Sequence, residues 1–366
     1  MKQIAENVLQ FVFECVIIVF VVVSQKTAAR PSPLAGAFQY PSKEDVSMGI
    51  RVIPIIGDSH TWGEGVGAEK SIQPPVCCGD LRPLSFAPPC YVNLLREELN
   101  RRTGSACADF EWGAGLTVTA GNPLTVPAAF ALARVFFVAN TEPAEAELSA
   151  EGCEAVSVPL QSDTVTYNTR MRVAHLICPD GETSGLTVAC TAGESIVVYR
   201  VELYTGTYAL VNCGIGSCPV GKFVDEYFPR YVEPLKPYAI LFEGCTINDW
   251  LLTPSAAKYA AGLRRMLTAQ RNLTSRIVWH TVTPIGGSQQ SGQGTIYDDY
   301  VNAMRSVAGE ANVPLVDCNA VMERKLSAMP EEARAPYFYH DPWHPNGEGH
   351  RLYAEEIAYG LMSLVD

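Results

Sequence analysis

Roughly a hundred residues in the middle of this chain follow a different rule from those on either side. From about Thr103 to Leu210 the sequence runs in short alternating or β-branched stretches, such as Leu116-Thr117-Val118-Thr119, Arg134-Val135-Phe136-Phe137-Val138 and Ser195-Ile196-Val197-Val198-Tyr199-Arg200-Val201. Turn-rich segments separate them, and no helical pattern intervenes after Ala133. That is the signature of an all-β unit, a sandwich or a jelly-roll-like fold. On both flanks continuous apolar strands alternate with amphipathic helices, the pattern of an α/β sheet whose strands are buried on both faces.

The flanks read as follows. Arg51-Val52-Ile53-Pro54-Ile55-Ile56 is a buried strand, and Tyr91 to Leu99 is a helix with Val92, Leu95 and Leu99 on one face. After the β-rich stretch, Tyr238 to Phe242 and Ile277 to Val282 are strands. Between them a helix begins at Thr253-Pro254-Ser255, with proline at its first position and Tyr259, Leu263 and Leu267 on one face. Gly286 to Gly294 is a Gly/Ser/Gln loop, Tyr297 to Ala311 a helix, Leu315-Val316-Asp317 a short strand, and Leu352, Ile357 and Leu361 mark a last amphipathic helix. The expected organisation is a hydrophobic segment and linker at 1–35, a discontinuous α/β domain at 36–102 and 211–366, and an inserted β domain at 103–210. Taking the first and last of these from 366 residues leaves one ordinary domain.

With 27 Lys+Arg against 39 Asp+Glu, the formal charge of -12 repels phosphate backbones and argues against nucleic acid as a partner. Val8 to Val23 (VLQFVFECVIIVFVVV) is short for a membrane span but suits a signal-peptide core, and the small residues Thr27-Ala28-Ala29 follow. Glu14 and the sparse positive charge before it leave two other readings open, a weak anchor or an apolar arm that packs in an assembly such as a virion. The expected location is therefore secreted or membrane-anchored outside the cell, with virion association as the alternative. Twelve cysteines without paired CxxC sets argue against structural zinc. Disulfides are one reading, with Cys77 or Cys78 to Cys90, Cys178 to Cys190 and Cys213 to Cys218 as pairs near in sequence. Reduced, buried thiols are the other.

The chemistry begins where the first strand ends. Ile56-Gly57-Asp58-Ser59-His60-Thr61-Trp62-Gly63 places a hydroxyl at the C-terminal end of that strand, the edge at which open α/β sheets bind ligands. A serine nucleophile needs a base and donors for an oxyanion. His340-Asp341-Pro342-Trp343-His344-Pro345-Asn346-Gly347 offers an aspartate three residues before a histidine, so Asp341 accepts from Nδ1 of His344 and leaves Nε2 as the base. Read blandly, the same pair is a surface loop. Thr61 stands where GxSxG has its second glycine, which disfavours the nucleophile elbow of the α/β-hydrolases. His60 and His340 are expected as hydrogen-bonded residues at the rim, and His280 and His350 as structural.

GDSHTWG at 57–63, Thr246-Ile247-Asn248-Asp249 after a strand and DPWHPNGEGH at 341–350 together resemble the blocks of the SGNH (GDSL-type) esterase family, in the family's order. The resemblance covers residues 50–102 and 211–366. It implies a three-layer, flavodoxin-like α/β/α hydrolase domain, with the β unit inserted between its first two blocks. It further implies that Ser59 is the nucleophile, His344 the base, Asp341 its orienter and Asn248 a side-chain oxyanion donor beside the backbone N–H of Ser59. The family's glycine block is matched by Val211-Asn212-Cys213-Gly214-Ile215-Gly216-Ser217 better than by Phe110 to Leu116. Its backbone donor then falls on Ser217, with Gly216 its neighbour. No cofactor or metal is needed for this chemistry. The implied activity is hydrolysis of short acyl esters, most simply O-acetyl groups on a carbohydrate that the β insertion helps to bind. The competing class is a virion or surface protein that binds carbohydrate and merely retains the scaffold.

Overall fold

The structure, a computed structural model, describes residues 49–64, 90–162, 171–286, 289–292, 294–330, 332–334 and 341–365. The apolar segment 8–23, Cys77, Cys78 and His340 lie outside them. Among the described residues no helix is long and apolar enough to cross a membrane.

Among the described residues the first elements are strand β1 (Arg51–Gly57), one turn of helix α1 (Ser59–Trp62) and helix α2 (Tyr91–Thr103). Eight strands follow: β2 (Ala106–Thr119), β3 (Leu124–Phe130), β4 (Leu132–Val138), β5 (Glu145–Ser149), β6 (Val156–Pro159), β7 (Met171–Ile177), β8 (Thr183–Ala192) and β9 (Ser195–Thr205). Then come β10 (Tyr208–Gly214), a helical run from Val220 to Leu235, β11 (Ile240–Phe242), α3 (Thr246–Leu252), α4 (Ala256–Arg271), β12 (Ile277–His280), α5 (Tyr297–Glu310), β13 (Leu315–Val316), α6 (Cys318–Ser327) and α7 (Gly347–Met362).

The fold is mixed α/β. Five strands form a parallel sheet in the order β10-β1-β11-β12-β13. Alternate residues of its strands point to opposite faces, as pleating requires. Ile240, Phe242, Ile277 and Trp279 join a cluster with Tyr259, Leu263 and Met266 of α4 and Tyr300, Val301 and Met304 of α5. On the other face a Cβ added to Gly360 of α7 would meet Val278 and Val316 at 3.0 and 2.7 Å, so α7 lies directly on the sheet. The result is helix, sheet, helix in three layers. Ser255 caps α4 by accepting from the Lys258 N–H, so Pro254 precedes the cap and is not the first helical residue.

Strands β2 to β9 form two antiparallel sheets, β2-β9-β4-β7 and β3-β8-β5-β6. Val135, Phe137, Val198 and Val201 of the first share an apolar cluster with Val126, Ala146, Leu148 and Val188 of the second. The opposite face of the first sheet is charged and buried. Arg134 is in register with Glu202 and bonds it at 2.8 Å, Tyr204 Oη donates to the same carboxylate at 2.8 Å, and Arg200 Nε reaches its other oxygen at 3.3 Å. Arg134 also donates to the Asn212 carbonyl of β10 at 3.0 Å, so this charged layer meets the parallel sheet. Burial opposes a charge on Glu202, but Arg134, Arg96 and Arg200 outweigh it and hold the carboxyl at about 2. β10 starts at Tyr208 and pairs with β1 throughout, so the expected boundary at Leu210 falls inside a strand of the parallel sheet. The rejected glycine candidate Phe110 to Leu116 lies in β2.

The disulfides expected from sequence proximity are corrected. Cys90, Cys178, Cys190, Cys213 and Cys218 are all unpaired thiols, as are the other described cysteines. Cys178 follows β7 in one antiparallel sheet, whereas Cys190 sits in β8 of the other.

Candidate active site

Because β1, β10 and β11 run parallel, their C-terminal ends meet at one edge, and the loops leaving that edge carry the site. Ser59 starts α1 two residues after β1, Gly216 and Ser217 form the turn after β10, and Asn248 lies in α3 after β11. The turn after Gly57 is tight: a Cβ there would fall 2.1 Å from both Glu243 Oε2 and Thr61 Oγ1, so only glycine fits. His344 arrives from the loop before α7.

Ser59 Oγ lies 2.9 Å from Nε2 of His344, and Nδ1 of His344 lies 2.8 Å from Asp341 Oδ2. With Asp341 accepting from Nδ1–H, the lone pair of a neutral ring sits on Nε2 and faces the serine hydroxyl. Asp341 also accepts at Oδ1 from the backbone N–H of Trp343 and of His344, both at 2.8 Å, which closes the loop on its own aspartate. Burial works against the Asp341 charge, but the bonds from His344 and these two amides hold its carboxyl at about 2. Ser59 is 7% exposed and the His344 side chain 12%, enough for a small group to reach them.

Asn248 is buried and its Nδ2 donates to Asp58 Oδ2 at 2.8 Å, which uses one amide hydrogen and leaves the second. Ser217 has φ +54, the left-handed region that glycine favours. Cys245, just before α3, is also left-handed at φ +56, so two strained residues flank this edge. Asp249 ties α3 to the segment after β10: its Oδ2 accepts from the Val220 N–H at 2.6 Å and its Oδ1 from Thr253 Oγ1 at 2.7 Å. Gly214 N–H is spent on Asn212 Oδ1 at 2.9 Å, so Asn212 braces the turn rather than serving an incoming oxygen.

Two residues behind Ser59 were not expected in these roles. His60 is wholly buried and not at a rim. Nδ1 is 3.0 Å from Asp58 Oδ1 and Nε2 is 2.8 Å from the Trp343 carbonyl. Burial would lower its pKa, but the bond to Asp58 and the charges of Asp58 and Glu243 raise it to about 9. Glu243, also buried, accepts at Oε2 from the Asp58 N–H at 2.8 Å and from Thr61 Oγ1 at 2.7 Å. Burial, then the neighbouring Asp58 charge, raises its carboxyl to about 8, so it is protonated at neutral pH. Their only sequence signals were adjacency to Ser59 and an acid closing an apolar strand. His280 and His350 are buried among Tyr91 and Tyr353 and pushed down to about 3 by burial.

Ligand atoms of Asp58, His60 and Glu243 lie within 4.8 Å of one another, close enough in principle for a cation. The Asp58 and His60 atoms are bonded to each other, to Asn248 and to the Trp343 carbonyl, and of the cluster's ligand atoms only Oε1 of Glu243 has no partner among the described residues, so the cluster does not offer three free ligand atoms to a metal.

The protonation of Glu243 has a measurable signature. Its folded pKa lies above the unfolded value, so its contribution to stability is complete below about 4.5 and is lost as pH rises through about 8. The contribution of His60 is likewise complete below 6.5 and lost through about 9. The wild-type thermal midpoint is expected to fall between pH 5 and 9 by about 5 °C more than that of Glu243→Gln, whose amide keeps the neutral shape. Parallel melting curves across that range check this, and equal slopes would show that Glu243 is already ionised.

A parallel sheet whose carboxyl edge gathers a hydroxyl, an imidazole and a carboxylate in one hydrogen-bonded line has the architecture of a hydrolase. Residues 183–352 match the model of the GDSL-like lipase/acylhydrolase family. The match takes in Asn248, Asp341 and His344; Ser59 lies before it, on the far side of most of the β-rich stretch. None of the curated proteins compared with the chain matches it. Among solved structures, the chain is similar to a peptidoglycan O-acetylesterase at 14% identity, covering 87% of this chain and 92% of that one with a TM-score of 0.49. It is also similar to LAE5, an alpha/beta hydrolase from the metagenome of Lake Arreo, at 16% identity, 87% and 98% coverage and a TM-score of 0.46. A third is Axe2, an acetylxylan esterase from Geobacillus stearothermophilus, at 21% identity, 44% and 74% coverage and a TM-score of 0.36.

Proposed function

We propose that this hydrolase is a serine esterase that removes short acyl groups, O-acetyl above all, from a carbohydrate. The observation that carries the reading is the unbroken line from Ser59 Oγ through the His344 ring to Asp341 at 2.9 and 2.8 Å. Ser59 Oγ attacks the ester carbonyl carbon while Nε2 of His344 takes its proton, and Asp341 stabilises the imidazolium that forms. The tetrahedral oxyanion accepts from the free amide hydrogen of Asn248 and from backbone N–H groups of Ser59 and of Gly216 or Ser217. His344 passes its proton to the departing sugar alkoxide as the C–O bond breaks. Water, deprotonated by the same nitrogen, then releases the acid and restores Ser59.

The carbohydrate part of the reading is supported by Trp343. Trp343 is 38% exposed, while its backbone is held at N–H by Asp341 and at C=O by His60, so an exposed aromatic residue stands next in sequence to His344. The C–H face of a sugar ring suits such a residue. Strands β2 to β9 are proposed as an inserted domain at about 103–210 that extends the contact for a polymeric substrate, and action on such a polymer fits a secreted enzyme.

The test is acetate release from an acetylated polysaccharide and from an aryl acetate. Hydrolysis of neither overturns the esterase reading, and hydrolysis of the aryl ester alone overturns the carbohydrate part. In the same assay Asn248→Ala is expected to lower kcat about 10²-fold with little change in KM, because its hydrogen bond strengthens only as charge develops on the oxygen. A change confined to KM would move Asn248 to ground-state binding.

A further inference from the structure

We propose that His60 is a positioning residue for this reaction: as a buried cation it ties the Ser59 turn and the Asn248 carboxamide to the loop that carries His344. The proposal rests on the serine-esterase reading above and adds to it a residue that touches no reacting atom.

The charge follows from the partners. Nδ1 faces a carboxylate oxygen of Asp58 at 3.0 Å and Nε2 faces the Trp343 carbonyl at 2.8 Å. Both partners only accept, and a neutral imidazole has one N–H, so a ring that satisfies both carries two. No water reaches the ring to substitute for either bond, since the residue is 0% exposed. The bonds then form one chain: the Trp343 carbonyl accepts from His60, Asp58 Oδ1 accepts from His60, and Asp58 Oδ2 accepts from Asn248 Nδ2 at 2.8 Å. Each link holds a part of the site. The Trp343 carbonyl belongs to the peptide that joins Trp343 to His344, so the loop is held by Asp341 on one side and by His60 from the interior. The Asp58 carboxylate sets the plane of the Asn248 amide and so the direction of its second hydrogen.

At neutral pH Asp58 is the carboxylate that balances the His60 charge, and Glu243 adds to it as it ionises at about 8. Glu243 is protonated at neutral pH, the Tyr91 phenol is pushed well above its ordinary range by burial, and His280 and His350 are neutral. The ring of His344 lies 5.2 Å away, centre to centre. Removing the cation therefore strands the Asp58 carboxylate in the interior and releases the Trp343 carbonyl, which loosens both ends of the chain at once.

The experiment uses the full chain with an aryl acetate, and compares wild type, Ser59→Ala, His60→Gln and His60→Asn. Wild-type kcat is expected to fall above about pH 9 as His60 loses its proton. The two His60 variants are expected to show kcat about 10-fold lower at pH 7, KM within about twofold, and no such fall, so that wild type converges on them at high pH. A purely structural role would lower the melting temperature while leaving kcat per folded molecule and the alkaline limb unchanged, and that result overturns the proposal. If the variants do not fold, nitrogen NMR of the wild-type ring decides: two protonated nitrogens at pH 7 support the proposal, and one overturns it. An inactive wild type, or a Ser59→Ala variant as active as wild type, would instead overturn the serine-esterase reading itself.

Discussion

Replacing Ser59 by alanine is expected to lower ester hydrolysis by about 10³-fold or more, and His344→Ala by a similar factor, with circular dichroism and melting temperature close to wild type. The size follows from the geometry. Ser59 Oγ and His344 Nε2 act on one proton across 2.9 Å, so removing either leaves the other without a task. For the same reason the double variant should be little slower than either single one. Stability is spared because His344 lies on a surface loop, and Ser59, though mostly buried, ends in a hydroxyl whose one described partner is that histidine. Steady-state rates on an aryl acetate measure the loss. Near wild-type turnover in either variant would mean that a different residue is the nucleophile or the base.

Glu202→Ala is expected to cost about 3–5 kcal/mol, seen as a fall of roughly 10 °C in melting temperature. Glu202 is fully buried and takes bonds from Arg134, Arg200 and Tyr204. Its removal leaves the Arg134 guanidinium, itself buried, facing a void, with the Asn212 carbonyl as its remaining hydrogen-bond acceptor among the described residues. The contrast is Arg264→Ala, which breaks a pair with Glu310 whose side chains are both more than half exposed, and should change stability by less than about 1 kcal/mol. Chemical denaturation of the two variants side by side gives the comparison. A Glu202→Ala protein as stable as Arg264→Ala would mean that water enters the layer and solvates the arginine.

What the sequence made legible was whatever is written locally. The alternation of strands and amphipathic helices outside 103–210 defines the parallel sheet, since each element must bury a face, and the three motifs mark its carboxyl edge. Ser59, Asp341 and His344, which the structure brings into one hydrogen-bonded line, each stand in a short block and could be picked out from it. Glu202 and Glu243 could not. A glutamate in SIVVYRVELYT or after AILF reads as a solvent-facing position, and it is tertiary contact with Arg134 or with Asp58, 185 residues away for Glu243, that makes it interior. His60 was misjudged for the same reason: its second partner, Trp343, is 283 residues distant. The disulfide expectation failed because spacing along a chain says nothing about which sheet a cysteine enters.

Strands β1 and β10 are neighbours in the parallel sheet, yet Arg51 and its partner Tyr208 are 157 positions apart. Closing so long a loop in an unfolded chain is slow, because the contact order of that pairing is high. Strands β2 to β9 shorten the search: Ala106 pairs with Thr205, so once β2 and β9 have zipped, the two ends of this antiparallel stretch stand side by side and β10 follows within three residues. Until then RVIPIIG waits on the growing chain with apolar side chains on both faces and no partner strand on either edge. During synthesis that segment leaves the ribosome long before either neighbour exists, and it is the natural place for a chaperone to hold the nascent chain and for misassembly to begin when none does.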